Sequence, residues 1–177
     1  MKIFGLAGWS GSGKTTLVAK LLPELRRRGL SVSTVKHAHH AFDIDQPGKD
    51  SYTHRAAGAV EVMIGSANRW ALMHELRGAA EPGVEELLAH MSEVDLVLIE
   101  GFKAHAHDKL EIYRADSDKP LLCLEDPRVV ALASDLPAAE LAQRGVTVPV
   151  LDIDDAGAIA DFIVRHLALA RPQRGVA

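Results

Sequence analysis

Eight residues near the start of the chain, Gly8-Trp9-Ser10-Gly11-Ser12-Gly13-Lys14-Thr15, have the types and spacing needed to hold a phosphate chain. They read G-x-x-x-x-G-K-T, the P-loop pattern. Glycines at positions 8, 11 and 13 let the backbone turn tightly and bring its N–H groups to phosphate oxygens with no Cβ in the way. In such loops the lysine, here Lys14, reaches the β- and γ-phosphates, and the hydroxyl of Thr15 ligates Mg²⁺. Ser10, Ser12 and Thr16 complete the expected phosphate-binding set.

A second group with chemistry to offer is Glu100, which ends the run Asp95-Leu96-Val97-Leu98-Ile99-Glu100-Gly101. A continuous apolar run of this kind is a buried parallel strand, and open α/β sheets bind ligands at its C-terminal edge. P-loop proteins hold Mg²⁺ with the loop hydroxyl plus an acid at such a strand end. Here the acid is Glu rather than the commoner Asp, and it can orient or activate a water for attack on the γ-phosphate. Lys14 and Glu100 are therefore the candidate catalytic residues. Lys36 ends the second strand, expected beside the P-loop strand, where it adds positive charge to a triphosphate. Asp43, Asp45 and Asp50 lie on the loop that follows. Asp50 is the expected metal ligand, with Thr15 and Glu100, because Pro47-Gly48-Lys49 would hold it in a turn.

The histidines His37, His39 and His40, with His105 and His107 beyond Glu100, invite a zinc or nickel reading, since H-x-H-H can bring two imidazoles together. Against it, no cysteine lies nearby, and structural zinc sites want four ligands at defined spacing. A loop that binds a phosphate-rich or pterin-like partner, or moves with nucleotide state, is the reading adopted. The guanine signature N-K-x-D is absent. Asp135, in Ala133-Ser134-Asp135 at the end of a late strand, stands where a base-reading acid sits; it equally reads as a helix cap before Leu136-Pro137.

The elements around these residues must position them. Lys2 to Ala7 predicts a short buried strand, and Thr16 to Arg28 a helix with Leu17, Val18, Leu21, Leu22 and Leu25 on one face, kinked at Pro23. Strand, glycine loop and helix N-terminus in that order place a phosphate at the positive end of the helix dipole. Residues 31–36 read as a second strand, and 52–57 as a short helix capped by Ser51. Residues 59–64 and 69–76 read as a β-hairpin around Gly65-Ser66-Ala67-Asn68, inserted at about 59–77. Its Met63, Ile64, Trp70 and Leu72 need cover, from the parent domain or a second copy of the chain. A helix over 83–91, strands over 110–114, 121–124, 129–133 and 148–151, a helix over 137–144 and a last helix over 156–170, capped by Asp154 or Asp155, complete the chain. The expected fold class is α/β, a P-loop NTPase with a mostly parallel sheet flanked by helices and a β-hairpin insertion. One nucleotide-binding domain spans 1–170, and 171–177 is a tail.

Composition sets the outer bounds. A chain of 177 residues with 25% charged and 47% hydrophobic residues is an ordinary globular domain. Its net charge of -4 gives no global attraction to nucleic acid or anionic membrane, so neither is an expected partner. No apolar stretch approaches the ~20 residues of a transmembrane helix. The first strand begins at once and leaves no room for a signal peptide, so a cytoplasmic protein is expected. Cys123 is the only cysteine and is expected as a buried strand thiol within Leu121-Leu122-Cys123-Leu124.

With these residues in view, the chain resembles the MobB family, the molybdopterin-guanine dinucleotide biosynthesis adapter proteins. The matching stretches are residues 9–16 of the P-loop, Lys36-His37-Ala38-His39-His40, Pro47-Gly48-Lys49-Asp50-Ser51, residues 69–73, Val97-Leu98-Ile99-Glu100-Gly101-Phe102-Lys103 and Ala133-Ser134-Asp135. The resemblance implies a GTP-binding protein with weak Mg²⁺-dependent GTPase activity, often a homodimer. It implies support for the guanylyltransferase that joins GMP to molybdopterin, by delivery of GTP or of the pterin. GTP and Mg²⁺ are the implied cofactors, and the guanylyltransferase and molybdopterin or molybdenum cofactor the implied partners. The chain is also similar to the dethiobiotin synthetase type of P-loop protein. In that comparison Lys36, Asp50 and Glu100 match a phosphate-binding lysine and two metal-binding acids. Residues 104–108 have no clear match. Two other functions fit the same motifs: a nickel-enzyme maturation GTPase using His37, His39 and His40, or an ATP-dependent small-molecule kinase or ligase. No dedicated arginine finger is visible, so turnover should be slow, because a transition-state cation is worth about 10³–10⁵ in rate.

Overall fold

The computed structural model describes residues 1–38, 42–102 and 105–169. His39, His40, Lys103, Ala104 and the expected tail over 171–177 lie outside the described residues. The chain divides into two compact units, one built from Met1–His37 with the chain from Ser92 onward, the other from Ala38–Met91.

The larger unit holds a six-stranded sheet in the order β2-β5-β1-β6-β7-β8. Its strands are β1 (Lys2–Ala7), β2 (Val32–Lys36), β5 (Leu96–Glu100), β6 (Lys109–Tyr113), β7 (Val129–Ser134) and β8 (Val150–Asp152). Every pairing is parallel, so all six C-terminal ends share one edge. The expected α/β class with a mostly parallel sheet is what the chain adopts. β5, not β2, neighbours β1 on that side, which corrects the expected place of Lys36 beside the P-loop strand. The apolar residues of β5 are buried throughout, as a central parallel strand requires.

Side chains alternate across the sheet and divide the core in two. One face sets Phe4, Leu6, Leu98, Leu110 and Ile112 against Leu17, Leu21 and Leu25 of α1 (Lys14–Arg27) and Ile159, Ala160 and Ile163 of α5 (Ala156–His166). The helical spacing of those leucines is thus the spacing of a buried stripe. α1 runs through Pro23, whose ring is exposed. Asp155 caps α5 by accepting from the Ala158 N–H at 2.8 Å, and the helix ends at His166, short of the expected 170. The opposite face packs Tyr113, Leu121, Leu132, Leu141 of α4 (Ala138–Gln143) and Val146.

One expected strand is absent. Leu122–Leu124 forms a single 3₁₀ turn. The cause lies in β6: the buried Glu111 carboxylate accepts from the Leu122 and Cys123 N–H groups, each at 2.8 Å, and those donors are lost to any ladder. Cys123 is half-buried in this turn rather than in a strand. Burial, and then the Glu111 charge, push its thiol up to about 12.

The smaller unit contains α2 (Asp50–Ala56), the antiparallel hairpin β3 (Glu61–Gly65) and β4 (Trp70–His74), and α3 (Val84–Ala89). Ser51 is not the cap of α2; it lies inside the helix and donates to Asp45 at 2.8 Å, while Lys49 occupies the cap position. Arg55 of α2 is the hub of this unit, bridging Asp43 at 2.7 Å and Glu75 at 3.4 Å and lying over the Tyr52 ring. Val62 and Met73 are buried on one hairpin face, whereas Met63, Trp70 and Leu72 are exposed on the other. Among the described residues, no helix is long and apolar enough to cross a membrane.

Candidate functional site

The P-loop follows β1 and delivers its last residues as the first turn of α1. Gly8, Gly11 and Gly13 all take positive φ, at 144°, 80° and 96°, where L side chains are strained. A Cβ on Gly8 would also stand 2.6 Å from the Ile112 carbonyl oxygen, so only glycine fits between loop and sheet. Gly13 is the N-cap residue of α1 and offers no side chain to its orphan amides, the kind of helix end that suits an anion. Lys14 Nζ donates to the Gly8 and Trp9 carbonyl oxygens at 3.0 and 2.8 Å. Ser12 Oγ is buried with no hydrogen-bond partner among the described residues. Trp9 fastens the loop from outside, its Nε1 donating to the Pro120 carbonyl oxygen at 2.9 Å.

The acid expected at the end of β5 is in place. Thr15 Oγ1 lies 3.0 and 3.2 Å from the two Glu100 carboxylate oxygens. Lys36 Nζ stands 3.6 Å from Glu100 Oε1 across the β2–β5 pair. A hydroxyl and a carboxylate converging at the first turn of a P-loop helix are the hard oxygen donors that Mg²⁺ takes. The residues present therefore fit a Mg²⁺–phosphate ligand.

Beyond Glu100 the chain turns through two left-handed residues, Gly101 at φ 97° and Phe102 at φ 48°. A Cβ at Gly101 would stand 2.6 Å from the His37 Cβ, and the His37 ring packs on the Phe102 ring with centroids 4.5 Å apart. His37 is thereby engaged with the segment after Glu100. His105 and His107 pair with each other through their Nδ1 atoms at 2.7 Å. Among the described residues, no group of three or more His, Cys, Asp and Glu is arranged to hold a metal ion.

Asp50 falls in the smaller unit, at the start of α2 and just after a Gln46–Lys49 turn in which Gly48 takes φ 86°. Asp43 pairs with Arg55 at 2.7 Å, and Asp45 accepts from Ser51 while its other oxygen stands 3.6 Å from Arg55 Nε. Asp135 caps no helix, since Pro137 holds the N-cap position of α4 and Ser134 Oγ accepts from the Leu136 N–H. Instead Asp135 Oδ1 accepts from the Ala115 N–H at 2.7 Å, and Oδ2 from Arg114 at 3.3 Å. Arg114 was not a sequence candidate. Its guanidinium comes within 3.6 Å of where a Gly13 Cβ would stand. The signal that points to it is its position after β6, which becomes informative only once β6 is known to flank β1.

The model of the family described as "Molybdopterin guanine dinucleotide synthesis protein B", MobB, matches residues 3–135. The molybdopterin-guanine dinucleotide biosynthesis adapter protein of Escherichia coli K12 is 41% identical over 168 residues, 93% of each chain. Its namesake in Haemophilus influenzae is 39% identical, over 93% of this chain and 89% of that one. A crystal structure of molybdopterin-guanine biosynthesis protein B superimposes with a TM-score of 0.72 at 26% identity, covering 93% of this chain and 99% of that one. Bacillus subtilis MobB gives 0.72 at 25% identity, covering 94% and 98%. The P-loop, the acid-ended strand and these matches converge: the chain belongs to the MobB family.

Proposed function

We propose that this chain is an adapter of molybdopterin guanine dinucleotide biosynthesis that binds Mg²⁺–GTP on its P-loop and hydrolyses it slowly. The observation that carries the nucleotide part is the convergence of Thr15 and Glu100 at the first turn of α1. The biosynthetic part rests on family membership and on relatives named for that role.

In this reading the backbone amides of the P-loop and the Lys14 ammonium neutralise the phosphates, with Lys36 adding charge. Thr15 and Glu100 would hold Mg²⁺, which would supply Lewis-acid polarisation and charge neutralisation. Glu100 would accept the proton of the water that attacks the γ-phosphorus as its bond to the β,γ-bridging oxygen breaks, releasing GDP and inorganic phosphate. The partners are the guanylyltransferase of the pathway, molybdopterin or its molybdenum form as cargo, and a second copy of the chain. Self-association would use the exposed hairpin face of Met63, Trp70 and Leu72. A cytoplasmic site of action accords with this chemistry.

Competition of GTP against ATP for the Mg²⁺-loaded protein tests the proposal. A GTP preference of about tenfold or more, ~1.4 kcal/mol, is expected. Equal affinity, or a preference for ATP, contradicts the GTP role and favours a kinase or ligase.

A further inference from the structure

The sheet order places two charged pairs on opposite sides of the P-loop. Glu100 and Lys36 end β5 and β2 on one side; Arg114 follows β6 and Asp135 follows β7 on the other. Gly13 is the point of approach of the second pair, with Arg114 Nη2 3.6 Å from where its Cβ would stand. In the reading above the metal-bound phosphates lie at Thr15 and Glu100, and the nucleoside is assigned to the other side of the P-loop, toward β6 and β7.

Both carboxylate oxygens of Asp135 already accept a hydrogen bond from the protein. Recognition of guanine by a carboxylate uses both oxygens side by side, one for each ring-edge N–H. Here Oδ1 is held by the Ala115 N–H at 2.7 Å, and Oδ2 by Arg114 at 3.3 Å. The carboxylate instead fixes both the backbone after β6 and the guanidinium. A planar guanidinium held at one edge presents its face and remaining N–H groups to a neighbouring ring, which suits stacking on a purine.

We propose that Arg114 packs on the nucleoside half of the bound nucleotide, and that Asp135 acts on the nucleotide only through Arg114, as its positioning residue. This rests on the nucleotide reading of the P-loop given above.

The test is equilibrium binding of GTP, ATP and inorganic tripolyphosphate, each with Mg²⁺, to the full chain as wild type, Arg114→Ala, Asp135→Asn and the double variant. Arg114→Ala should weaken GTP and ATP roughly tenfold, the scale of a lost cation–π contact, and leave tripolyphosphate binding unchanged. Unchanged tripolyphosphate binding also reports an intact fold. Asp135→Asn should weaken both nucleotides alike, and add nothing once Arg114 is alanine. Equal loss for tripolyphosphate would make Arg114 a phosphate charge and overturn the proposal. A selective loss of GTP over ATP in Asp135→Asn that persists without Arg114 would make Asp135 the base reader and overturn it too. If the wild type binds all three ligands and Arg114→Ala binds them equally well, only the role of Arg114 falls. If the wild type binds none of them, the nucleotide reading falls and this inference with it.

Discussion

Thr15 and Glu100, 85 residues apart in sequence, meet with the threonine hydroxyl 3.0 and 3.2 Å from the two carboxylate oxygens. The meeting is set from the far end of the sheet. Asp95, just before β5, accepts from the Ser31 N–H and hydroxyl at 2.7 and 2.6 Å, and these bonds hold its carboxyl below the usual range. That clamp fixes the parallel register in which Val32 faces Leu96 and Lys36 faces Glu100. β1 pairs with β5 so that Leu6 faces Glu100, and the P-loop begins two residues later at Gly8.

Glu100→Gln keeps the shape of the side chain and a hydrogen bond to Thr15 but removes the charge and the proton acceptor. Mg²⁺-dependent GTP hydrolysis should fall roughly 10²-fold, within the range for loss of a general base, with GTP affinity changed far less. Single-turnover hydrolysis read beside equilibrium binding separates the two. Equal hydrolysis rates for both proteins would remove Glu100 from the mechanism.

Gly5 in β1 is glycine because of what lies over it. A Cβ there would stand 2.3 Å from His107 Nε2 and 2.8 Å from the Lys109 Cβ. Gly5→Ala should cost about 1–3 kcal/mol, as overpacked cores do. Combined with His107→Ala, the loss should be smaller than the sum of the two single losses, read from denaturant unfolding. Strict additivity would show that the imidazole does not fill the Gly5 slot.

His107 also makes stability depend on pH. Burial, and after it the charges of His105 and Lys109, push the imidazole from its ordinary 6.5 to about 4. Between those values the unfolded chain binds a proton that the folded chain does not, so stability rises with pH across that window. Acidification from 6.5 to 4 should therefore remove about 3 kcal/mol, at about 1.4 kcal/mol per pH unit. Urea unfolding at several pH values should show this slope in the wild type and largely lose it in His107→Gln. The same slope in both proteins would contradict the assignment.

The P-loop, the acid at the end of β5 and the hairpin were legible because each is written locally. Glycines at fixed offsets, an apolar run closed by Glu100-Gly101 and two alternating segments around a four-residue turn carry their own geometry. What failed depended on long-range partners. The run Leu121-Leu122-Cys123-Leu124 has strand composition, yet a buried carboxylate eleven residues earlier takes the N–H of Leu122. Lys36 reaches Glu100 although β2 does not touch β1, because β5 stands between them. Arg114 carries no local signature, and its approach to Gly13 follows from the order of the strands alone.

Calorimetric titration of Mg²⁺–GTP into the wild type and Lys14→Ala tests a Mg²⁺–GTP site on the P-loop most directly. Saturable one-to-one binding by the wild type, lost in a Lys14→Ala protein that still unfolds cooperatively, is the expected result. Absence of binding in the wild type, or equal affinity in both proteins, would contradict it.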